Sequence, residues 1–368
     1  MRVIIAAGGS AGHVNPGLAI ADKIKEVYPG KESAVLFVGT PDGMEAKLIK
    51  EAGYQFTAVK MAGLQRKLTP KNIARNAKAA YLYINAGAKS KEIIKNFKPD
   101  IVVGMGAYIS VPVVKAAAKM KIKTAVHESN SIPGAAVKML SKAVDKVFAA
   151  DEEMKKHISE PEKCVITGNP LRSNLKFEDR ESARKKLGLP DGLTILSSGG
   201  SNGSNPITNA VITLLEWENE VGGINHIHSY GRKRGNPFEG VETNPERTII
   251  KEYISNMYTC LSAADLVISR SGSMSQTEIK AAGRASIQIP WSGAAENHQY
   301  YNALAMEKDG AAVLIKDKDL TPQKLTEEVS ELCKNPQKLR EMEKQAKKMS
   351  SDYAADKILG EMLDLIKT

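Results

Sequence analysis

The sequence predicts an α/β protein of two domains, each a parallel β-sheet flanked by helices, with both sheets turning their C-terminal strand ends toward a cleft. Three observations carry this expectation. Short apolar runs alternate with amphipathic stretches, the pattern of repeated βαβ units. The alternation stops near Arg172 and restarts at Thr194. A strand followed by Gly-Gly-Ser-x-Gly occurs twice, at Ile4–Gly12 and at Ile195–Gly203, so each half opens its sheet with a glycine turn into a helix.

In the first half, strands are expected at Val3–Ala7, Ala34–Val38, Phe56–Val59, Ile101–Val103, Thr124–Val126, Lys146–Phe148 and Cys164–Ile166. Helices are expected near Pro16–Val27, Met44–Ala52, Pro70–Phe97, Pro112–Met120, Pro133–Ser141 and Glu152–His157. Several begin at or just after a proline, where the missing N–H costs nothing. Thr167–Arg172 follows a strand but opens no helix, and the charged stretch Lys176–Lys186 reads as a new beginning. The expected domains are therefore 1–168 and 172–349. Strands of the second are expected at Thr194–Ser197, Ile224–Ser229, Thr248–Ile250, Leu266–Ser269, Ser286–Ile289 and Ala312–Ile315, and Thr321 can cap a helix over Pro322–Cys333. From Pro336 onward a polar stretch carries an apolar stripe (Met349, Tyr353, Ile358, Met362, Leu363, Ile366), so it reads as helical, with residues 350–368 packing back on the first domain.

Composition narrows the function. With 368 residues, 42% hydrophobic and 26% charged, the chain can bury two cores and does not read as disordered. Cys164, Cys260 and Cys333 are odd in number and far apart, which suggests neither a disulfide framework nor a zinc cluster, and fits a reducing compartment. No apolar run reads as a secretory signal or a membrane span. The formal charge of +10 divides into +12 for residues 1–172 and −2 for the rest. It concentrates in Lys60–Lys98, where ten Lys and Arg, among them Arg66, Lys67, Lys71 and Arg75, meet only Glu92. Apolar residues interleave there, so the region reads as a basic amphipathic surface for anionic lipid headgroups. A solvated face is the plainer alternative. Nucleic acid is not expected, because aromatic residues make up 5% and no reader motif is present.

Glycine turns between strand and helix let backbone N–H groups approach an anion. Gly8, Gly9 and Gly12, with Ser10 and Ala11, form one such turn; Gly199, Gly200 and Gly203 form another. Each alone is compatible with a purely structural turn, but two at equivalent places point to a diphosphate. His13 follows the first turn, where imidazole suits proton transfer or phosphate donation, or simply a backbone bond at a helix start. His127-Glu128-Ser129-Asn130 ends a predicted strand with polar groups that suit sugar hydroxyls. Ser269–Glu278 offers a third turn, with Glu278 placed either to receive a ribose diol or to favour the helix dipole. Amides and imidazole in Ala295–Gln299, with Asn302, again suit hydroxyls. Asp317-Lys318-Asp319 has the D-x-D form some sugar-nucleotide enzymes use for a metal, yet its place between a late strand and a capped helix reads as a solvated turn. No metal site is expected.

Seven segments in order carry a resemblance to a known family: Gly8–Pro16, Gly104–Ser110, His127–Gly134, Thr167–Arg172, Gly199–Gly203, Arg270–Gly272 with Glu278, and Ala294–Gln299 with Asn302-Ala303. From end to end the chain resembles the MurG family of peptidoglycan glycosyltransferases. The resemblance implies two Rossmann-like domains of the GT-B architecture and transfer of N-acetylglucosamine from UDP-N-acetylglucosamine to undecaprenyl-pyrophosphoryl-N-acetylmuramoyl-pentapeptide. It implies that Glu278 holds the ribose hydroxyls, that Ile254 lies against uracil, and that Arg172, Ser201 and Ser273, Met274 and Ser275 hold the diphosphate. Asn130, His298 and Gln299 would contact the transferred sugar. The Gly8–His13 turn and the Gly104–Ser110 loop, with Gly106, Tyr108 and Ser110, would take the acceptor's pyrophosphate. The basic region would rest on the cytoplasmic face of the cell membrane. Ala107, Val111 and Ser129 depart from the family's usual residues, the first two on the acceptor side.

The expected chemistry is displacement at the anomeric carbon with inversion and without a cofactor. His13 is the candidate base and Glu128 the fallback. Two other functions share the pattern: a UDP-N-acetylglucosamine 2-epimerase, and a sensor that binds the nucleotide sugar without turning it over.

Overall fold

The computed structural model describes residues 1–61, 69–172, 176–232 and 235–368, with the backbone alone over 70–78. The chain forms two compact units, Met1–Ser173 with Ser351–Thr368, and Asn174–Ser350.

The first unit holds strands β1 (Arg2–Ala6), β2 (Ala34–Gly39), β3 (Gln55–Ala58), β4 (Ile101–Gly104), β5 (Lys123–Glu128), β6 (Lys146–Ala149) and β7 (Cys164–Ile166). Helices α1 (Ala11–Val27), α2 (Met44–Glu51), α3 (Pro70–Phe97), α4 (Ser110–Lys119) and α5 (Ala135–Leu140) connect them. The sheet is parallel, in the order β3-β2-β1-β4-β5-β6-β7. Its strands read as continuous apolar runs because both faces are covered. Along β1, Val3 and Ile5 join a core with Leu18, Ile20 and Ile24 of α1, while Ile4 and Ala6 join the opposite core with Val113 and Val114 of α4.

The second unit holds α6 (Arg180–Leu187), β8 (Leu193–Ser198), α7 (Asn205–Val221), β9 (Ile224–Ser229), β10 (Thr248–Lys251), α8 (Met257–Ala263), β11 (Leu266–Ser269), α9 (Ser273–Ala282), β12 (Ala285–Gln288), α10 (His298–Lys308), β13 (Ala312–Leu314), α11 (Pro322–Cys333) and α12 (Pro336–Lys348). Its parallel sheet runs β10-β9-β8-β11-β12-β13. Both sheets thus share the 3-2-1-4-5-6 order, in which the connections reverse direction between the first and fourth strands. A crevice opens there at the carboxyl ends. The two Gly-Gly-Ser-x-Gly turns leave β1 and β8, the strands that flank that reversal.

Local expectations differ from the structure in three places. Helix α1 begins at Ala11 rather than near Pro16, which lies inside the helix. Glu152–His157 is a 3-10 helix capped by Asp151, not an α-helix. The C-terminal stretch is two helices, because the chain breaks at 349–353 between α12 and α13 (Ala354–Lys367). Ile358, Leu359, Met362 and Leu365 of α13 are buried against the first unit's sheet, and Lys23 of α1 pairs with Asp356 at 3.0 Å.

Candidate functional site

In the first unit the crevice is built by the ends of β1, β4 and β5. Gly8 has no room for a side chain: a Cβ would lie 2.7 Å from Glu45 Oε1 and 3.2 Å from Ile109 Cγ2. Gly9 takes φ +83°, and its N–H donates to Glu45 Oε2 at 3.4 Å. Glu45, in the first turn of α2, is fully buried and also accepts from the Thr40 N–H at 2.9 Å and from the Thr40 hydroxyl. Burial works to raise its pKa, but these donors outweigh it and hold the carboxyl below its ordinary value. Glu45 therefore fixes the turn as a local carboxylate. Its position, far from the glycines in sequence and without a distinctive motif, gave no signal.

Ser10 sits at the N-cap of α1, with Ala11 and Gly12 beginning the helix. Its hydroxyl does not cap the helix; it bonds His13 Nδ1 at 3.1 Å. In the tautomer that donates Nδ1–H to Ser10 Oγ, the lone pair lies on Nε2. Gly106 takes φ +77°, and a Cβ there would stand 3.2 Å from the His127 carbonyl and 3.4 Å from His13 Cδ2. The structure thus brings His13 and Gly106 together across β1 and β4. Tyr108 is 39% exposed beside this turn. Ser110 is placed otherwise than expected: it is fully buried at the start of α4 and donates its hydroxyl to the Ala6 carbonyl at 2.9 Å, which ties β1 to α4.

The end of β5 carries His127 and Glu128, both buried. Burial pushes the His127 pKa down to about 4, aided by His13 and opposed by the Gly168 carbonyl, so the ring is neutral near pH 7. Glu128 accepts from the Asn130 N–H at 3.0 Å, from Asn130 Nδ2 at 2.8 Å and from the Gly134 N–H at 2.8 Å. Its pKa is raised by burial, with those donors opposing. Both oxygens organise the 128–134 loop, a different task from the fallback base. Asn130 is partly exposed, with its side chain turned to Glu128. Arg172 donates Nε to Asp22 Oδ2 at 2.7 Å, and Tyr54 donates to Asp22 Oδ1 at 2.6 Å. Arg66 and Lys67 lie outside the described residues, as do the side chains of Lys71 and Arg75.

In the second unit the turn after β8 is packed too closely for a Cβ at Gly199 or Gly203, whereas Gly200 is open. A Cβ at Gly199 would lie 2.2 Å from Ser204 N, and one at Gly203 1.8 Å from the Tyr230 carbonyl. Ser201 is exposed at the tip. Beyond β11, Gly272 is the N-cap of α9, and Ser273, Met274 and Ser275 form its partly exposed first turn. The N–H groups and positive end of that helix suit an anion. Glu278 lies one turn further and accepts from the Tyr258 hydroxyl at 3.1 Å. Burial pushes its pKa up to about 7, with Tyr258 opposing. Ile254 is 4% exposed and packs with Leu196 and Ile227, so its side chain belongs to the core.

After β12 the chain carries two non-glycine residues with left-handed backbone, Glu296 (φ 52°) and Asn297 (φ 54°). Such strain persists only where the surroundings hold it. It sets the start of α10, where His298 Nδ1 donates to the Ala295 carbonyl at 2.5 Å and Gln299 Oε1 accepts from the Trp291 N–H at 2.9 Å. Asn302 is buried and donates to the Ser271 carbonyl at 3.2 Å, joining α10 to the end of β11. Asp317 is no solvated turn: it pairs with Arg270 at 2.6 Å and accepts from Ser292. Among the described residues no helix is long and apolar enough to cross a membrane.

Comparison with known proteins shows the family and the fold. Residues 3–149 match the model of the glycosyltransferase family 28 N-terminal domain and residues 194–358 that of its C-terminal domain. A protein of Acetivibrio thermocellus named UDP-N-acetylglucosamine--N-acetylmuramyl-(pentapeptide) pyrophosphoryl-undecaprenol N-acetylglucosamine transferase is 38% identical over 373 residues, covering 100% of this chain and 99% of the relative. The crystal structure of Acinetobacter baumannii MurG is similar with a TM-score of 0.78 at 25% identity, covering 99% of each chain. A UDP-GlcNAc 2-epimerase from Neisseria meningitidis, solved with UDP-GlcNAc, shares the fold with a TM-score of 0.67 at 14% identity, covering 99% of this chain and 100% of that one.

Proposed function

This chain belongs to glycosyltransferase family 28, and from that premise we propose that it transfers N-acetylglucosamine from UDP-N-acetylglucosamine to undecaprenyl-pyrophosphoryl-N-acetylmuramoyl-pentapeptide, the lipid I to lipid II step of peptidoglycan synthesis. The observation that carries the activity is the full-length likeness to a relative bearing that name. The epimerase shares only the fold.

In the mechanism proposed here, the acceptor's 4-hydroxyl oxygen attacks the anomeric carbon while the bond from that carbon to the diphosphate oxygen breaks. The configuration inverts. The hydroxyl proton passes to His13 Nε2, and the electron pair leaves with UDP. What supports His13 is its place beside Gly106 and the Ser10 bond that orients the ring. Charge gathering on the diphosphate is met by the first turn of α9, with Ser201 and the Nη groups of Arg172, and the scheme calls on no cofactor. Glu278 receives the ribose diol. Uracil is assigned to the backbone around Ile254, because the side chain itself is buried. Asn130, His298 and Gln299 are assigned to the transferred sugar, and Gly8–Gly12, Gly106 and Tyr108 to the acceptor's pyrophosphate.

The test is incubation of the protein with labelled donor, with and without the lipid acceptor and with and without EDTA. Label is expected in lipid only when acceptor is present, and EDTA is expected to leave the rate unchanged. Release of free or epimerised sugar from donor alone would replace this reading by the epimerase, and binding without turnover by the sensor.

We place the protein peripherally on the cytoplasmic face of the membrane. The support is the ten Lys and Arg of residues 60–98, with Tyr81 and Ile84 of α3 exposed at 65% and 72%. Neutralising Arg66, Lys67, Lys71 and Arg75 together is expected to weaken binding to anionic vesicles by roughly 10²–10³-fold, at about 1 kcal/mol per charge. Unchanged vesicle binding would refute the placement.

A further inference from the structure

We infer that Asp317 is a positioning residue for sugar-nucleotide binding in the second unit, an inference that rests on the donor-site reading above. Its carboxylate ties together segments leaving three neighbouring strands. Oδ1 accepts from Arg270 Nη1 at 2.6 Å, just beyond β11. Oδ2 accepts from the Ser292 N–H at 3.2 Å and from the Ser292 hydroxyl at 2.8 Å, just beyond β12. Asp317 itself follows β13. Arg270 carries the link to a fourth strand: Nη1 also donates to the Ile289 carbonyl at 3.1 Å, and Nη2 donates to Ser204 Oγ at 2.8 Å, where the turn after β8 runs into α7.

The arrangement differs from an ordinary surface ion pair. The Arg270 and Asp317 side chains are only 11% and 16% exposed, so the pair is weakly screened and its geometry is fixed by five bonds rather than one. Burial works to raise the Asp317 pKa; the bonds from Arg270 and Ser292 outweigh it and keep the carboxyl below its ordinary value.

The segments so joined carry the proposed donor contacts. Ser204 ends the turn that bears Ser201, and Arg270 precedes Gly272 and the first turn of α9. Ser292 adjoins Trp291, whose N–H is held by Gln299. Loss of the carboxylate leaves Arg270 without its counter-charge and frees Ser292, and small displacements of binding groups are costly. The effect belongs on donor binding, because Asp317 spends both oxygens on protein groups and none on the reacting atoms.

The test compares the intact wild-type protein with Asp317→Asn and Asp317→Glu, using UDP-N-acetylglucosamine as probe. Asp317→Asn is expected to raise KM for the donor about tenfold, near 1.4 kcal/mol, with kcat within about threefold, and Asp317→Glu to recover most of that loss. Trp217 and Trp291 are the chain's two tryptophans. In a Trp217→Phe background, Asp317→Asn is therefore expected to shift the emission of Trp291 before any ligand is added. A lowered Tm with unchanged KM and unchanged Trp291 emission would overturn the proposal and leave Asp317 as a stabilising contact only. Should Asp317→Asn fail to fold, Ser292→Ala is expected to raise KM about threefold, and an unchanged KM there would equally overturn it. If wild type binds the donor and Asp317→Asn binds it equally, the inference alone falls; if wild type does not bind the donor, the donor-site reading falls and takes the inference with it.

Discussion

Replacing His13 by alanine is expected to lower turnover by roughly 10²–10⁴-fold, the range for loss of a positioned general base, while leaving affinity for UDP-N-acetylglucosamine within about twofold. The split follows from place. His13 belongs to the first unit, on the rim formed by the turns after β1 and β4, whereas the groups assigned to the nucleotide are mainly on the turns after β8 and β11. The His13 ring is only partly buried, and its Nδ1 bond to Ser10 is local. A fall in turnover cannot be put down to unfolding if Tm of the variant stays within a few degrees of wild type. An unaltered turnover number would remove His13 from the chemistry.

The second large effect concerns Glu278. A carboxylate that accepts two ribose hydroxyls must be ionised, and burial has raised this one to about 7 in the ligand-free protein. Donor binding is then linked to proton release. Affinity for UDP-N-acetylglucosamine, whose esterified diphosphate does not titrate near neutrality, is expected to rise with pH by up to about tenfold per unit below pH 7 and to level off above it. Glu278→Gln is expected to flatten this profile and to weaken binding at pH 8 by roughly 10–100-fold, the scale of charge-assisted hydrogen bonds.

Stability moves the other way. The folded pKa of Glu278 lies above the ordinary value of 4.5, so the folded state binds more protons between about 4.5 and 7, and the stability this group permits declines as pH rises through that window. Glu278→Gln should therefore raise Tm at pH 8 and leave it nearly unchanged at pH 4.5, with a gain on the order of 1–2 kcal/mol. Calorimetric titration and thermal melts at the two pH values check both halves. A variant that loses stability at pH 8, or keeps the wild-type pH profile of binding, contradicts the role.

Much of this was legible in the sequence because the relevant signals are local. A strand buried on both faces reads as an apolar run, as Val3–Ala7 and Leu266–Ser269 do, and a glycine turn after it reads as a break in period. The repeat at Ile4–Gly12 and Ile195–Gly203 fixed the two central strands for the same reason. Contacts between segments left no such trace. Nothing near Glu45 announces that its carboxylate closes the Gly8-Gly9 turn. Asp317 looked solvated because its partners, Arg270 and Ser292, are 47 and 25 residues away. Ser110 and Ile254 stand within motifs, yet the hydroxyl of one and the side chain of the other are spent on packing. The basic stretch near residue 66 reads as a membrane surface from its charge and its interleaved apolar residues, and the side chains of Arg66, Lys67, Lys71 and Arg75 lie outside the described residues.

The central claim is that one N-acetylglucosamine moves directly from UDP to the lipid-linked sugar. The most direct test is the stoichiometry and linkage of the product formed by the wild-type protein from UDP-N-acetylglucosamine and undecaprenyl-pyrophosphoryl-N-acetylmuramoyl-pentapeptide. The account predicts one UDP released per sugar transferred and a β-linkage from the α-linked donor to the 4-hydroxyl. A product with retained α-configuration, or UDP release without sugar in the lipid, would contradict it.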